Sequence, residues 1–172
     1  MSSSRNLYLM DSNTFIAPFR TYYPFDFAPS FWKFLASNIL SGNIVVLKKV
    51  YDEVLKGSDD LSLWIKGLSM TSLDHRTPDI TSKVQDILTH IQTSTNLYNN
   101  KALTEWSDKN RADAWLVAAA MVHDYKIVTF ELPNSSLGTN VTGHPKIPDV
   151  ASNFGVDCIS LYEMMRNLGF SF

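Results

Sequence analysis

This chain is poor in the residues from which many sites and anchors are built. It has one cysteine, Cys158, which excludes an internal disulfide framework and fits a reducing compartment. Its four histidines, His75, His90, His123 and His144, show no ligand spacing, so a Cys/His zinc centre is a poor fit. No apolar run approaches the ~20 residues that a membrane helix needs. The apolar stretch near the N-terminus is short and broken by Asp11, unlike a secretory signal. The expectation is a cytoplasmic protein with no membrane partner. Positive charge is not in excess either: the formal net charge is -2. Bulk electrostatics therefore give no reason to expect nucleic acid, and any basic surface has to be local. There is no repeat of solenoid length and no low-complexity tract. Without an export signal, the glycosylation sequons at Asn134 and Asn140 read as coincidence.

What the chain does have is alternation. Short, little-polar runs at Leu7–Met10, Ile44–Leu47, Lys126–Thr129 and Asp157–Ile159 read as buried parallel strands. Helical patterns lie between them. Ser30–Leu40 stops at Ser41-Gly42-Asn43, and Lys49–Leu55 ends at Gly57. Asp59 or Asp60 can cap a helix carrying Leu61, Trp64 and Leu68, and Thr77-Pro78 opens another. Asn110–His123 is the strongest helical pattern, and Ser160 caps a last helix, Leu161–Leu168. Alternating strands and helices imply an α/β protein with a mainly parallel sheet. At 172 residues the expectation is one domain over 1–172, with a helical insertion at about 59–106. The segment Leu132–Pro148, with three prolines and two glycines, reads as a long connection of the kind that often serves a site.

In open α/β sheets ligands bind beyond the carboxyl ends of the strands, which sorts the seventeen acidic residues. Asp11 follows the first strand. Glu53 lies in the first half of the helix after the second. Asp113 opens a helix that returns antiparallel to the strand it precedes, and Glu131 follows that strand. Asp157 begins its strand and fails. Four such carboxylates repel one another, and a hard divalent cation, Mg²⁺ or Mn²⁺, resolves the repulsion with oxygen ligands alone.

Each acid also has a plainer reading. Asp11 in Asp-Ser-Asn-Thr fits ordinary turn chemistry, with Asn13 and Thr14 capping the next helix. Asp52 competes with Glu53. Asp113 suits a helix dipole, and Asp108 is a neighbouring alternative. The aromatic run Thr21–Phe34 could stack bases, although core packing is the commoner use of such rings. Lys48 and Lys49, and separately Arg111 and Lys146, could contact phosphates, Lys146 best of all because KIPD closes the long connection.

Taken in order, LMDSNTFI around Asp11, VYDEVL around Glu53, RADAWLVAAA around Asp113 and IVTFE around Glu131 resemble the PIN domain. This is the fold of metal-dependent ribonucleases such as the VapC-type toxins of bacterial toxin–antitoxin pairs. The closer likeness is to a PIN-like branch of bacterial proteins with an aromatic-rich segment after strand one and KIPD before the last strand. The resemblance covers essentially the whole chain. It implies a three-layer fold with a central, mainly parallel sheet of about four to five short strands flanked by helices. It also implies that Asp11, Glu53, Asp113 and Glu131 bind one or two Mg²⁺ or Mn²⁺ ions and hydrolyse RNA to 5′-phosphate and 3′-hydroxyl ends. Thr129, and Asn13 or Ser12, would support the acids. An antitoxin protein would block the site, and such proteins often pair as homodimers. Glu131 stands where Asp is commoner in the family, so it would reach a metal directly or through water.

Two other classes fit parts of the pattern. A haloacid-dehalogenase-like phosphatase also places an Asp after strand one, but it needs a second Asp where Asn13 stands, and a late acidic pair that is absent. A PIN-like module that binds RNA or protein without cutting needs no metal.

Overall fold

Asp11 ends a strand that has no polar edge. In the computed structural model, which describes residues 7–171, β1 (Tyr8–Met10) is buried along its whole length. Residues 1–6 and 172 of the expected 1–172 domain lie outside the described residues. The other strands are β2 (Ile44–Val45), β3 (Lys126–Val128) and β4 (Cys158–Ile159). They form one four-stranded sheet in the order β2-β1-β3-β4, parallel throughout, with Tyr8 paired to both Ile44 and Lys126 and Ile127 to Cys158. β1, buried along its whole length, needs apolar residues at every position and does not alternate, while Lys126 at the start of β3 and both residues of β4 are only partly buried. The architecture is α/β with a single parallel sheet, consistent with the expected three-layer arrangement.

The strands are shorter than expected. Leu47 leaves β2 and bridges to Leu73, and Thr129 lies beyond β3 although its N–H still donates to Ile159 O at 3.1 Å. β1 is central, with β2 on one side and β3 on the other. The chain therefore changes direction across the sheet between β1 and β3, and a crevice opens at their carboxyl ends.

Nine α-helices flank the sheet among the described residues: α1 (Asn13–Ala17), α2 (Pro29–Leu40), α3 (Lys48–Leu55), α4 (Asp60–Gly67), α5 (Pro78–Thr93), α6 (Asn100–Trp106), α7 (Asp113–His123), α8 (Ile147–Ala151) and α9 (Leu161–Asn167). A π-helical turn, Pro18–Tyr22, continues α1, and a 3-10 turn, Ser152–Phe154, continues α8. The caps follow the sequence. Asp59 Oδ1 accepts the Ser62 N–H at 3.1 Å, Thr77 Oγ1 accepts from Ile80, and Ser160 Oγ accepts from Glu163. α4, α5 and α6 occupy the expected insertion, and α5 lays Ile80, Val84, Ile87 and Ile91 into the core where it packs along α7.

α7 begins at Asp113, three residues later than the sequence pattern suggests. Asp108 is the reason. Its Oδ1 accepts the Asn110 N–H at 2.9 Å and its carbonyl accepts the Arg111 N–H at 3.0 Å, a turn that delays the helix and leaves Asp113 at its first position. Ala114 and Leu116–Ala120 are buried, so α7 threads the interior. It ends at Asp124, whose φ of 56° is a left-handed stop that Asp tolerates better than most residues.

The aromatic run packs inward. Phe25 lies 4.6 Å from Trp32, ring centre to ring centre, Trp32 lies 4.9 Å from Trp64, and Tyr23 lies 4.8 Å from Phe31. The Trp32 Nε1–H donates to Tyr23 O at 2.7 Å. The segment is core structure, with Phe27 and Tyr22 left exposed. The long connection is docked, not free. Thr142 N–H donates to Leu97 O, Asn99 N–H donates to Thr142 O, and the Trp106 Nε1–H reaches Pro145 O at 3.2 Å. The connection also ends in α8, which the sequence pattern did not foreshadow.

Candidate metal centre

Asp11 extends the ladder by one bond, its N–H donating to Val128 O at 3.0 Å, and this carries its carboxylate into the crevice between β1 and β3. Only 5% of the residue is exposed. Thr129 Oγ1 donates to Oδ2 at 3.2 Å and Ser12 Oγ to Oδ1 at 3.4 Å. Thr14 N–H and Oγ1–H both donate to the Asp11 carbonyl, so the following turn is closed from both sides. Burial, then the charges of Asp113 and Glu131, push the Asp11 carboxyl up to about 7, against the hydrogen bond from Thr129. The support expected from Thr129 is present. Of the two neighbours expected to steady the carboxylate, Ser12 makes the contact, while Asn13 is exposed at the start of α1.

Glu53 is the sixth residue of the eight-residue α3, in its second half and not its first. It still reaches the site, because it lies three residues from buried Val50 and so shares that face of the helix. Burial raises its carboxyl, a hydrogen bond from Ser12 opposes this, and the charge of Asp113 adds to the rise. Asp52, its competitor, is paired with Lys48 instead.

Asp113 enters from α7. Burial lifts its carboxyl most, the Arg111 guanidinium pulls it down, and the charge of Glu131 pushes it up again. The Arg111–Asp113 pair stands at 2.8 Å. Arg111 also pairs with Glu105, whose other oxygen lies 2.6 Å from His144 Nδ1. Burial alone would raise Glu105, but His144 and Arg111 hold it below its ordinary value. Glu105 and His144 were not marked by the sequence, since a Glu on a helix and a His in a loop carry no spacing signal.

Glu131 reaches the same edge, and Thr129 Oγ1 accepts its N–H at 3.1 Å. One hydroxyl thus ties the first acid to the segment carrying the fourth. The Glu131 side chain is turned to α8: Oε2 accepts the Ile147 N–H at 2.7 Å and Oε1 lies 3.8 Å from Lys146 Nζ. Arg111 and Lys146, two of the four cations expected to meet phosphates, are therefore ion-paired to the acids themselves, while Lys48 pairs with Asp52 and Lys49 donates to Lys109 O. The KIPD acid, Asp149, is buried and accepts N–H groups from Asn134 and Lys146 at 2.7 and 2.8 Å. It serves the first turn of α8 and the loop before it, and not the acidic edge.

The four acids share one edge and feel one another's charge, and the donor set, oxygen only, suits a hard divalent cation. As they stand, no three His, Cys, Asp or Glu side chains among the described residues form a group that could hold an ion. Arg111, Lys146 and the Ile147 N–H instead meet the charge and lone pairs of Asp113 and Glu131. In donor type and electrostatics the residues fit Mg²⁺ or Mn²⁺. Cavity size does not single out this edge. A cavity of about 130 Å³ adjoins Thr129 and Glu131, while one of about 270 Å³ lies among Asp124, Lys126 and Asp157 at the opposite edge, where no acid follows a strand.

Among protein families, the model described as a domain of unknown function, DUF4411, matches residues 8–172. No curated protein and no solved structure matches the chain.

Proposed function

The chain belongs to the DUF4411 family, and we propose that it is a PIN-like ribonuclease that uses Mg²⁺ or Mn²⁺ to hydrolyse phosphodiester bonds in RNA. The observation that carries this reading is Asp11. Its carboxylate is buried directly after the central strand, and the neighbouring acids help push it up to about 7. A pocket that concentrates negative charge where water is scarce stores a repulsion that one or two divalent ions would relieve.

In this reading Asp11, Glu53 and Asp113 hold the cation, with Glu131 reaching it directly or through water. A cation held by these acids would supply an activated water and charge stabilisation at the phosphate. Thr129 and Ser12 fix the two Asp11 oxygens, so the first acid meets its ligand without reorganising. In-line attack breaks the bond from phosphorus to the 3′ oxygen and leaves a 5′-phosphate and a 3′-hydroxyl. The toxin role, a blocking antitoxin, a homodimer and a cytoplasmic setting complete the proposal. Among the described residues no helix is long and apolar enough to cross a membrane.

One observation favours a second reading. Asp113 and Glu131 are already paired internally, as suits a module that binds RNA or protein without cutting. The test is a cleavage assay on mixed structured RNAs in Mn²⁺, Mg²⁺ or EDTA, comparing wild type with Asp11→Asn purified identically. Metal-dependent cutting by wild type and background cutting by the variant is the expected outcome. Equal cutting by both would refute the assignment of Asp11. No cutting by either, with both folded, would favour the binding module.

A further inference from the structure

Arg111 sits between two carboxylates with different duties. Asp113 belongs to the acidic edge. Glu105, on α6, does not: it faces the docked connection, where His144 Nδ1 holds one of its oxygens at 2.6 Å and leaves the other for Arg111. The guanidinium is a planar fork that can serve both acids at once, which a lysine ammonium cannot do with the same geometry. The chain His144–Glu105–Arg111–Asp113 runs from the long connection, across the insertion, to the third acid of the site. It accounts for the position of Asp113 in the absence of a cation, because a nearby positive charge favours the ionised carboxylate.

We propose that Arg111 is an internal counter-cation that competes with the divalent ion for Asp113, and that Glu105 sets the strength of this competition by drawing the guanidinium away from the site. Arg111 and Glu105 are then positioning residues that tune cation affinity. The inference rests on the metal-dependent reading above and extends it to residues outside the four acids. A single positive charge beside a dication site in a partly buried crevice opposes binding by about five- to tenfold. Removing Arg111 therefore strengthens cation binding. Removing the charge of Glu105 has the opposite sign, about threefold weaker binding, because the guanidinium then rests on Asp113 alone. The charge of Glu105 also reaches Asp113 directly, so that second effect passes mainly through Arg111 and shrinks to a small remainder when Arg111 is absent.

The measurement is Mn²⁺ affinity, by calorimetry and by the electron paramagnetic resonance signal of free Mn²⁺, with no RNA present. It covers wild type, Arg111→Gln, Glu105→Gln and the double variant, each checked for folding by circular dichroism. The expected result is tighter binding in Arg111→Gln, weaker binding in Glu105→Gln, and a Glu105→Gln effect within about 1.5-fold of nothing in the Arg111→Gln background. Additive effects would show two independent surface charges and overturn the proposal, as would unchanged affinity in both single variants. If Arg111→Gln does not fold, Arg111→Lys replaces it. Lysine keeps the charge but cannot bridge both acids, so Glu105→Gln should again lose most of its effect, and a retained effect would overturn the proposal. Failure of the underlying reading has a different signature, namely wild type that does not bind Mn²⁺, or binding that Asp11→Asn leaves intact.

Discussion

Asp11 carries an electrostatic cost that can be measured without any substrate. Its carboxyl titrates near 7 in the folded chain against 3.8 ordinarily, so between those values the folded state holds a proton that the unfolded state has lost. Stability contributed by this group is therefore fully present below about pH 4 and falls as pH rises to about 7. Glu53 and Asp113 are shifted in the same direction and add to the slope. In EDTA, Asp11→Asn should be the more stable protein at pH 8, by up to roughly 4 kcal/mol, and the gap should close towards pH 4. Urea unfolding at the two pH values checks this. The amide preserves the acceptor for Thr129, so the change isolates the charge. Wild type as stable as the variant at pH 8 would mean that Asp11 is better solvated than its burial implies.

Among the elements, the first turn of α8 is tied to the end of β3 by one side chain. Glu131 accepts the Ile147 N–H and pairs with Lys146, which pins the start of α8 to the end of β3. Glu131→Ala leaves that N–H without its partner, a loss of about 1 kcal/mol in a partly buried place. Residues 132–146 should then become more open to proteolysis, and the Ile147 amide should exchange about fivefold faster, since a tenfold change corresponds to about 1.4 kcal/mol. Glu131→Gln keeps an acceptor and should keep most of the protection. Unchanged exchange in Glu131→Ala would show that Asp149, which holds Asn134 and Lys146, secures the loop alone. These elements also divide what was legible from what was not. The strands and the longer helices follow from apolar runs, caps and prolines, because those are local preferences. α8 and the delayed start of α7 were missed because they rest on side chains meeting backbone groups, Asp149 with Lys146 and Asp108 with Asn110, whose geometry a pattern of apolar residues does not encode.

At the scale of the whole molecule, a cation that binds only the folded chain should stabilise all of it by mass action. Mn²⁺ at about 100 times its dissociation constant adds roughly 2.7 kcal/mol, worth about 5–10 °C in melting temperature for a chain of this length. Asp113→Asn should lose most of that shift, and an equal shift in the variant would remove Asp113 from the ligands. The sequence by itself determined the α/β class, the parallel sheet and the edge at which Asp11, Asp113 and Glu131 meet. Burial of apolar strands and the return direction of a helix suffice for that. Between Glu53 and Asp52 the structure decides: Asp52 pairs with Lys48, and Glu53, in the second half of α3, lies by Ser12 and Asp113. Only the tertiary structure decided how those acids are balanced: Ser12 and not Asn13 beside Asp11, Ile147 and Lys146 on Glu131, and Arg111 shared between Asp113 and Glu105. These partners come from segments distant in the chain or from backbone N–H groups, and charge pairing in a crevice depends on distances of a few ångströms that residue order does not specify.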